Sequence, residues 1–561
     1  MRSIPAIAVV AIASCLAVAT VTVSAADYTI PTYYDSFGSS ASIAEPVLYQ
    51  RHLDTLNRIF SYTIASNKAS ILAGRKVPDG TFAANVTGRI SPFGRMKDLD
   101  DTMDYLYGSF GSNLDKALSL FPAITGVNIS AFASTGAVAH ANIEFTTKHP
   151  TTGATKYIRA QGMFRFADDQ ALSRVWLYDL YFVNMNAYFK EMWGSPSLYD
   201  MIGKACPAIR NVCGNDLNAP YPLVDCEVAF AFKKLGEAAV LADDNVLCRA
   251  FETNLVPLRK SVHCGNLGPS GGSRCTAFNY TRYFEPIGPS FTDIPSPSEP
   301  ASRFNTYNEI KATVFNIYNL TIFPNNLEII SSGKVPPRTF SNNSGGRIWP
   351  IGTFENTEDT VEYQFGIFGS QNSSNVAAQL IPVIHEFTIH AFVQTGNIAA
   401  TSIDYKMLNT FTKQYYPLRV QGFWRIEPDA WSVSAYDVHV QNTVPFFNIV
   451  GLGLPNGLTQ PALAAVICIS QETACKGANQ VYGGSGQPQC FIELTTVKPF
   501  GDHDQVEADS IQCRSIHVNL AFFRPEVHCA HVGPTGGGKC VDLTYDSYFT
   551  LPFVKPFLYN V

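Results

Sequence analysis

The residues best suited to metal chemistry stand near the C-terminus. His517, His528, Cys529 and His531 offer imidazole and thiolate, the ligands that zinc takes. A matching stretch upstream reads Glu252, His263, Cys264 and Asn266. Two of the four ligand types are lost there, and Cys529 belongs to a set of regularly spaced cysteines. The reading therefore assigns no metal and no cofactor. Gly533-Pro-Thr-Gly-Gly-Gly-Lys539-Cys540 has the glycine and lysine spacing of a phosphate-cradling loop. Cys540 stands where the magnesium-binding hydroxyl should be, and the upstream match ends Ser273-Arg274-Cys275, so a disulfide-locked turn is expected. Acid–base work needs a carboxylate or imidazole near the substrate proton and a donor for the developing oxyanion. Asp101, Tyr105, Tyr178 and Asp179 could supply such a set, with Arg89 as a neutralising partner. Their upstream–downstream equivalents are Asp359, Tyr363, Tyr436, Asp437 and Arg347. The structural alternative for these ten residues is a Tyr–Asp–Arg network tying helix to sheet. His140 pairs with Ala400, and His390 with Ser130, so neither is a duplicated base.

These comparisons are possible because the chain repeats itself. Cys206, Cys213, Cys226, Cys248, Cys264 and Cys275 recur as Cys468, Cys475, Cys490, Cys513, Cys529 and Cys540. The last two intervals are 16 and 11 residues in both sets. Cys15 lies apart, within a stretch read as a leader. Six cysteines per copy imply three bridges, and the fifteen possible pairings stay open.

Each copy begins with helical periodicity: Leu48, Leu53, Leu56, Ile59 and Phe60, then Tyr307, Ile310, Val314, Ile317 and Tyr318. Further helices are predicted over 98–110 and 356–368. Period-two patterns follow at 129–132, 141–147, 156–166 and 172–182, with twins at 389–393, 400–406, 416–426 and 432–440. Helices followed by an antiparallel meander describe an α+β unit. Arg159-Ala-Gln-Gly-Met-Phe-Arg-Phe and Arg419-Val-Gln-Gly-Phe-Trp-Arg-Ile, followed by Tyr178-Asp-Leu-Tyr-Phe and Tyr436-Asp-Val-His-Val, resemble the late long strands of the NTF2-like superfamily, close to its SnoaL-like members. The resemblance implies two cones, each with helices on a curved antiparallel sheet and an interior where a pocket could lie. It leaves function open, because that superfamily holds enzymes, ligand binders and assembly modules.

The expected organisation is a signal peptide at 1–25, an N-terminal arm at 26–44, and NTF2-like domains at 45–199 and 303–461. Cysteine modules are expected at 200–284 and 462–549, a Pro/Ser-rich linker at 285–302 and a tail at 550–561. Arg2, an apolar run and Val23-Ser-Ala mark the leader. Sequons at Asn85, Asn128, Asn279, Asn319, Asn342 and Asn372 offer glycosylation sites. Charged residues are only 15% of the chain, net charge is −6, and no basic stripe supports nucleic-acid binding. No later run has the length of a membrane span.

The stiff linker and its echo at the C-terminal end suggest head-to-tail contact between molecules. These features read as a secreted, extracellular, non-catalytic structural glycoprotein that self-assembles into a filament, wall or surface coat. Its expected partners are further copies of itself, with extracellular polysaccharide as another candidate. The alternatives are a secreted carbohydrate- or small-ligand-binding protein, and a SnoaL-like enzyme using an Asp/Tyr pocket.

Overall fold

The computed structural model describes residues 44–111, 122–149, 151–169, 171–214, 225–295, 299–368, 381–410, 412–450, 460–483 and 486–549. The expected leader, most of the N-terminal arm, Cys15, Asn372 and the 550–561 tail lie outside them.

Copy 1 opens with α1 (Glu45–Ser61) and α2 (Ala65–Gly74). Leu48, Leu56, Ile59 and Phe60 of α1 are buried together, as their three-to-four spacing requires. The strands β1 (Phe82–Ser91) and β2 (Gly94–Met96) precede α3 (Leu99–Gly108), whose N-cap Asp98 accepts from the Asp101 amide. The strands β3 (Ala123–Thr135), β4 (Val138–Lys148), β5 (Thr155–Asp168) and β6 (Ser173–Phe182) follow. The cysteine module then brings α4 (Met185–Trp193), α5 (Leu198–Cys213), α6 (Asp225–Ala231), α7 (Val246–Glu252) and α8 (Lys260–Leu267).

After β7 (Phe291–Thr292), copy 2 repeats the plan. It runs α9 (Ala301–Thr321), α10 (Asn325–Ser332), β8 (Phe340–Trp349), β9 (Gly352–Phe354) and α11 (Thr357–Gly366). Strands β10 (Val383–Thr395), β11 (Ile398–Leu408), β12 (Tyr415–Glu427) and β13 (Ser432–Val440) come next. The module holds α12 (Thr443–Val450), α13 (Gln460–Ala474), α14 (Gly486–Ile492), α15 (Ile511–Leu520) and α16 (Pro525–Val532).

Each copy is α+β, but the expected antiparallel cone is corrected. The sheets are open: β2-β1-β6-β5-β4-β3 in copy 1 and β7-β10-β11-β12-β13-β8-β9 in copy 2. They do not close, and they are mixed, because β1 pairs parallel with β6 and β8 with β13. The parallel pairing brings β1 close to Tyr178. A Cβ on Gly88 would sit 2.6 Å from the Tyr178 carbonyl oxygen, and one on Gly346 2.2 Å from that of Tyr436. Only glycine fits there. The expected interior space is filled. Phe60, Phe93, Tyr105, Phe145, Phe164 and Phe182 pack between helices and sheet in copy 1.

The other faces of the two sheets meet each other. Met163, Leu177 and Ala133 of copy 1 share a cluster with Val393, Phe423 and Ala435 of copy 2. Twin hydrogen bonds mark an approximate two-fold: the Ser134 amide donates to Thr395 Oγ1 (2.9 Å), and the Gln394 amide to Thr135 Oγ1 (2.7 Å). The segment closing each copy also docks on the other copy. Tyr280 donates to the Pro417 carbonyl (2.6 Å), and Tyr545 to the Tyr157 carbonyl (2.7 Å). The segments expected to join one molecule to the next are thus used within the molecule as far as residue 549, which removes the ground for head-to-tail assembly.

The twelve described cysteines form six bridges, in the same order in both copies. They are Cys206–Cys226, Cys213–Cys264 and Cys248–Cys275, then Cys468–Cys490, Cys475–Cys529 and Cys513–Cys540. Among the described residues, no helix is long and apolar enough to cross a membrane. The asparagines of five sequons, Asn85, Asn128, Asn279, Asn319 and Asn342, are exposed.

Candidate functional site

The ten predicted site residues do not converge on one pocket. Along β6, Tyr178 and Asp179 point to opposite faces, as strand geometry requires. Tyr178 donates to Thr102 Oγ1 (3.0 Å) on the helix side, and Tyr436 to Thr360 Oγ1 (3.1 Å). Asp179 faces the other copy and is clamped by Arg89 and by Arg419 (3.1 Å). Asp437 is held in the same way by Arg347 (2.7 Å) and Arg159 (3.3 Å). Asp101 pairs with Arg259 (2.6 Å) and Arg274 (3.0 Å), and these cations hold its carboxyl below the usual range although burial pushes the other way. Tyr105 donates to Glu252 (2.6 Å); burial and that carboxylate raise its pKa. The Asp359 carboxylate meets Lys539 at 3.4 Å, and Tyr363 meets His517 Nδ1 at 3.4 Å.

The cavity that does form lies where β1, β2 and the cysteine module meet the segment closing the copy. In copy 1 it holds about 180 Å³. An enclosed site of about 150 Å³ accommodates a benzene ring. Its walls are Phe93, Phe278 and Tyr283, with Arg95, Lys97 and Arg282 at the rim. Those three cations are exposed, and their side chains have no partner among the described residues. Two further arginines line it but are committed. Arg89 is paired with Asp179, and Arg274 is paired with Asp101 and lies 4.5 Å over the Tyr105 ring. Glu285 is the one carboxylate in the lining among the described residues. The Tyr283 hydroxyl is buried without a hydrogen-bond partner among the described residues; burial raises its pKa, with Arg89 opposing.

Copy 2 has a cavity at the equivalent place, of about 70 Å³. That is room for about two waters at roughly 30 Å³ each. Thr353 and Ser547 stand where copy 1 has Arg95 and Arg282, and Glu507 where it has Ala242. Burial pushes the Glu507 carboxyl up to about 8, against the opposing Thr353 amide (3.0 Å) and Lys539. The two cavities share a position but not a chemistry.

The predicted phosphate loop is a turn. The fully buried Arg514 donates to the carbonyls of Gly533 (3.1 Å) and Pro534 (3.2 Å), so the loop presents acceptors inward, as Arg249 arranges at Gly268 and Pro269. The histidines do gather: His517, His528 and His531 are buried with one ring nitrogen of each within 4.8 Å of the others. Burial first, then the neighbouring imidazoles and Lys539, lower the pKa of His517 and take that of His531 to about 4. Cys529 is bridged to Cys475 and is not a ligand. Sequence reasoning missed Arg95, Lys97, Arg282 and Glu285; the signal available was a run of cations in copy 1 that copy 2 lacks.

Residues 62–180 and 316–438 match the BfoA N-terminal domain, and residues 198–277 and 450–543 the BfoA family C-terminal domain. "Bifonsecin B biosynthesis cluster protein A" of Aspergillus brasiliensis is 28% identical over 232 residues, 39% of this chain and 75% of that protein. "Aurasperone B biosynthesis cluster protein A" of Aspergillus niger is 27% identical over 232 residues, covering 39% and 73%. Among solved structures, an NTF2-like superfamily protein from Salmonella enterica is 14% identical, covering 24% of this chain and 92% of that one, with a TM-score of 0.18. An NTF2-like protein with a cystatin-like fold from Novosphingobium aromaticivorans is 12% identical, covering 26% and 87%, with a TM-score of 0.19.

Relatives named for biosynthesis clusters overturn the reading of a non-catalytic, self-assembling coat or filament subunit. They also displace its assignment as secreted and extracellular, which rested on residues 1–25. The duplicated domain matches and the repeated helix–sheet architecture lead to one statement. This chain is an α+β unit repeated twice, each copy matching the BfoA N-terminal domain and followed by a disulfide-rich module that matches the BfoA family C-terminal domain.

Proposed function

We propose that the chain is an enzyme of small-molecule biosynthesis, a two-copy member of the BfoA family, acting on a ring-sized anionic substrate in the copy-1 cavity. The observation that carries this reading is the lining of that cavity: aromatic walls, three uncommitted cations and a single carboxylate in about 180 Å³. The names of the relatives support the biosynthetic setting.

Arg95, Lys97 and Arg282 suit a phenolate, enolate or carboxylate oxygen. Cations placed where negative charge develops stabilise an enolate-like transition state. Glu285 is the candidate base for a proton next to a carbonyl. Copy 2, with Thr353 and Ser547 and a smaller cavity, has lost the anion-holding groups.

The test is a titration of the full chain with benzoate, against benzyl alcohol as the neutral ring. Benzoate is expected to bind at least tenfold more tightly, and Arg282→Ala to remove most of that preference. Equal binding of the two probes, or an unchanged preference in Arg282→Ala, contradicts the assignment.

A further inference from the structure

The three histidines of copy 2 are arranged as ligands rather than as hydrogen-bond partners. His517 comes from α15, and His528 and His531 from one face of α16, three residues apart. His517 Nδ1 lies 3.3 Å from His528 Nδ1 and 3.1 Å from His531 Nδ1. The Tyr363 hydroxyl approaches the same atom at 3.4 Å. An imidazole nitrogen carries either one proton or one lone pair. It cannot make three good hydrogen bonds at once. Imidazole nitrogens at 2.0–2.1 Å around a tetrahedral zinc ion stand about 3.3 Å apart, close to the 3.3 and 3.1 Å that separate His517 Nδ1 from the other two.

The surroundings favour the same reading. His528 Nε2 lies 3.1 Å from the Glu362 carboxylate. That contact places the proton on Nε2 and leaves Nδ1 with its lone pair, the usual support for a metal-bound histidine. The equivalent centre in copy 1 is complete without a metal ion. Glu252 stands in place of His517, and its carboxylate receives Tyr105 (2.6 Å), His263 (2.8 Å) and Asn266 (2.9 Å). Asp104 backs His263 at 3.0 Å, as Glu362 backs His528. Where copy 1 has an anion ringed by donors, copy 2 has three nitrogens facing one another. The Cys513–Cys540 bridge beside His517 withholds both sulfurs as thiolates, so the donor set is three imidazoles.

We propose that His517, His528 and His531 bind one divalent transition-metal ion of the zinc class through their Nδ1 atoms, with no counterpart in copy 1. The set suits zinc or cobalt better than magnesium or calcium, which prefer oxygen.

The test uses the full, tag-free chain with its disulfides intact, titrated with Co²⁺ and then Zn²⁺. One ion per chain is expected, with visible Co²⁺ bands of a four-coordinate site that Zn²⁺ abolishes. His517→Glu and His531→Asn install the residues of copy 1 and are expected to weaken binding at least tenfold. Glu362→Gln is expected to weaken it tenfold or more while keeping the Co²⁺ band positions. Binding well below one ion per chain in the natural protein overturns the proposal, whether or not the variants fold. So does binding that the two histidine variants leave unchanged.

Discussion

Glu507 shows how far two equivalent positions can diverge. Ala242 occupies its place in copy 1, and burial, against the opposing Thr353 amide, keeps the Glu507 carboxyl protonated to about pH 8. The folded pKa lies above the unfolded value of about 4.3, so the native state holds the extra proton between those values. Stability from this group is therefore complete below about pH 4 and is lost as pH rises towards 8. Glu507→Gln keeps the acceptor without the titration. It should raise stability at pH 8 by on the order of 4–5 kcal/mol and at pH 5 by about 1 kcal/mol. Denaturant unfolding at the two pH values checks this. The same divergence explains what sequence reading missed. Demanding the same residue in both copies selected the structural Arg89–Asp179 and Arg347–Asp437 pairs. It passed over Arg95 and Arg282, because the cavities are where the copies differ.

At the level of elements, hydrophobic periodicity located α1, the helices after Asp98 and Asn356, and the long strands. It could not show that β1 lies parallel beside β6, since that neighbour is fixed by chain path rather than by local pattern. The stretch Val262-His-Cys-Gly-Asn-Leu carries a glycine that disfavours a helix, yet it lies in α8. Tertiary contacts override its weak propensity: Cys264 is tied to α5 by Cys213, and His263 is held between Glu252 and Asp104. The turn after it is organised by a buried arginine, and the same holds in copy 2 at Arg514. Arg514→Met leaves the carbonyls of Ser510, Gly533 and Pro534 without their buried donor and leaves Asp509 with Lys498 alone of its two cations. A loss of about 3–5 kcal/mol is expected. Chemical denaturation should show it, and an unchanged midpoint would refute this role.

Taken whole, the chain is a fused pair. Arg419 reaches across to Asp179 and Arg159 to Asp437, and each arginine also holds a carboxylate of its own copy, Asp404 or Glu144. His140, Gln161 and Gln421 are buried as well, and His140 packs on Phe423 of the other copy with ring centres 4.9 Å apart. Duplication was legible from the cysteine spacing; the face joining the copies was not, because its polar residues read as candidate chemistry. Fusion frees one copy to keep a cationic cavity while the other acquires a histidine cluster. The direct test of biosynthetic action at the copy-1 cavity is metabolite profiling by mass spectrometry after deletion of the gene, with complementation by the natural chain or by Glu285→Gln. The account predicts loss of a product and accumulation of its precursor, restored by the natural chain and not by folded Glu285→Gln. An unchanged profile on deletion, or full restoration by Glu285→Gln, would contradict it.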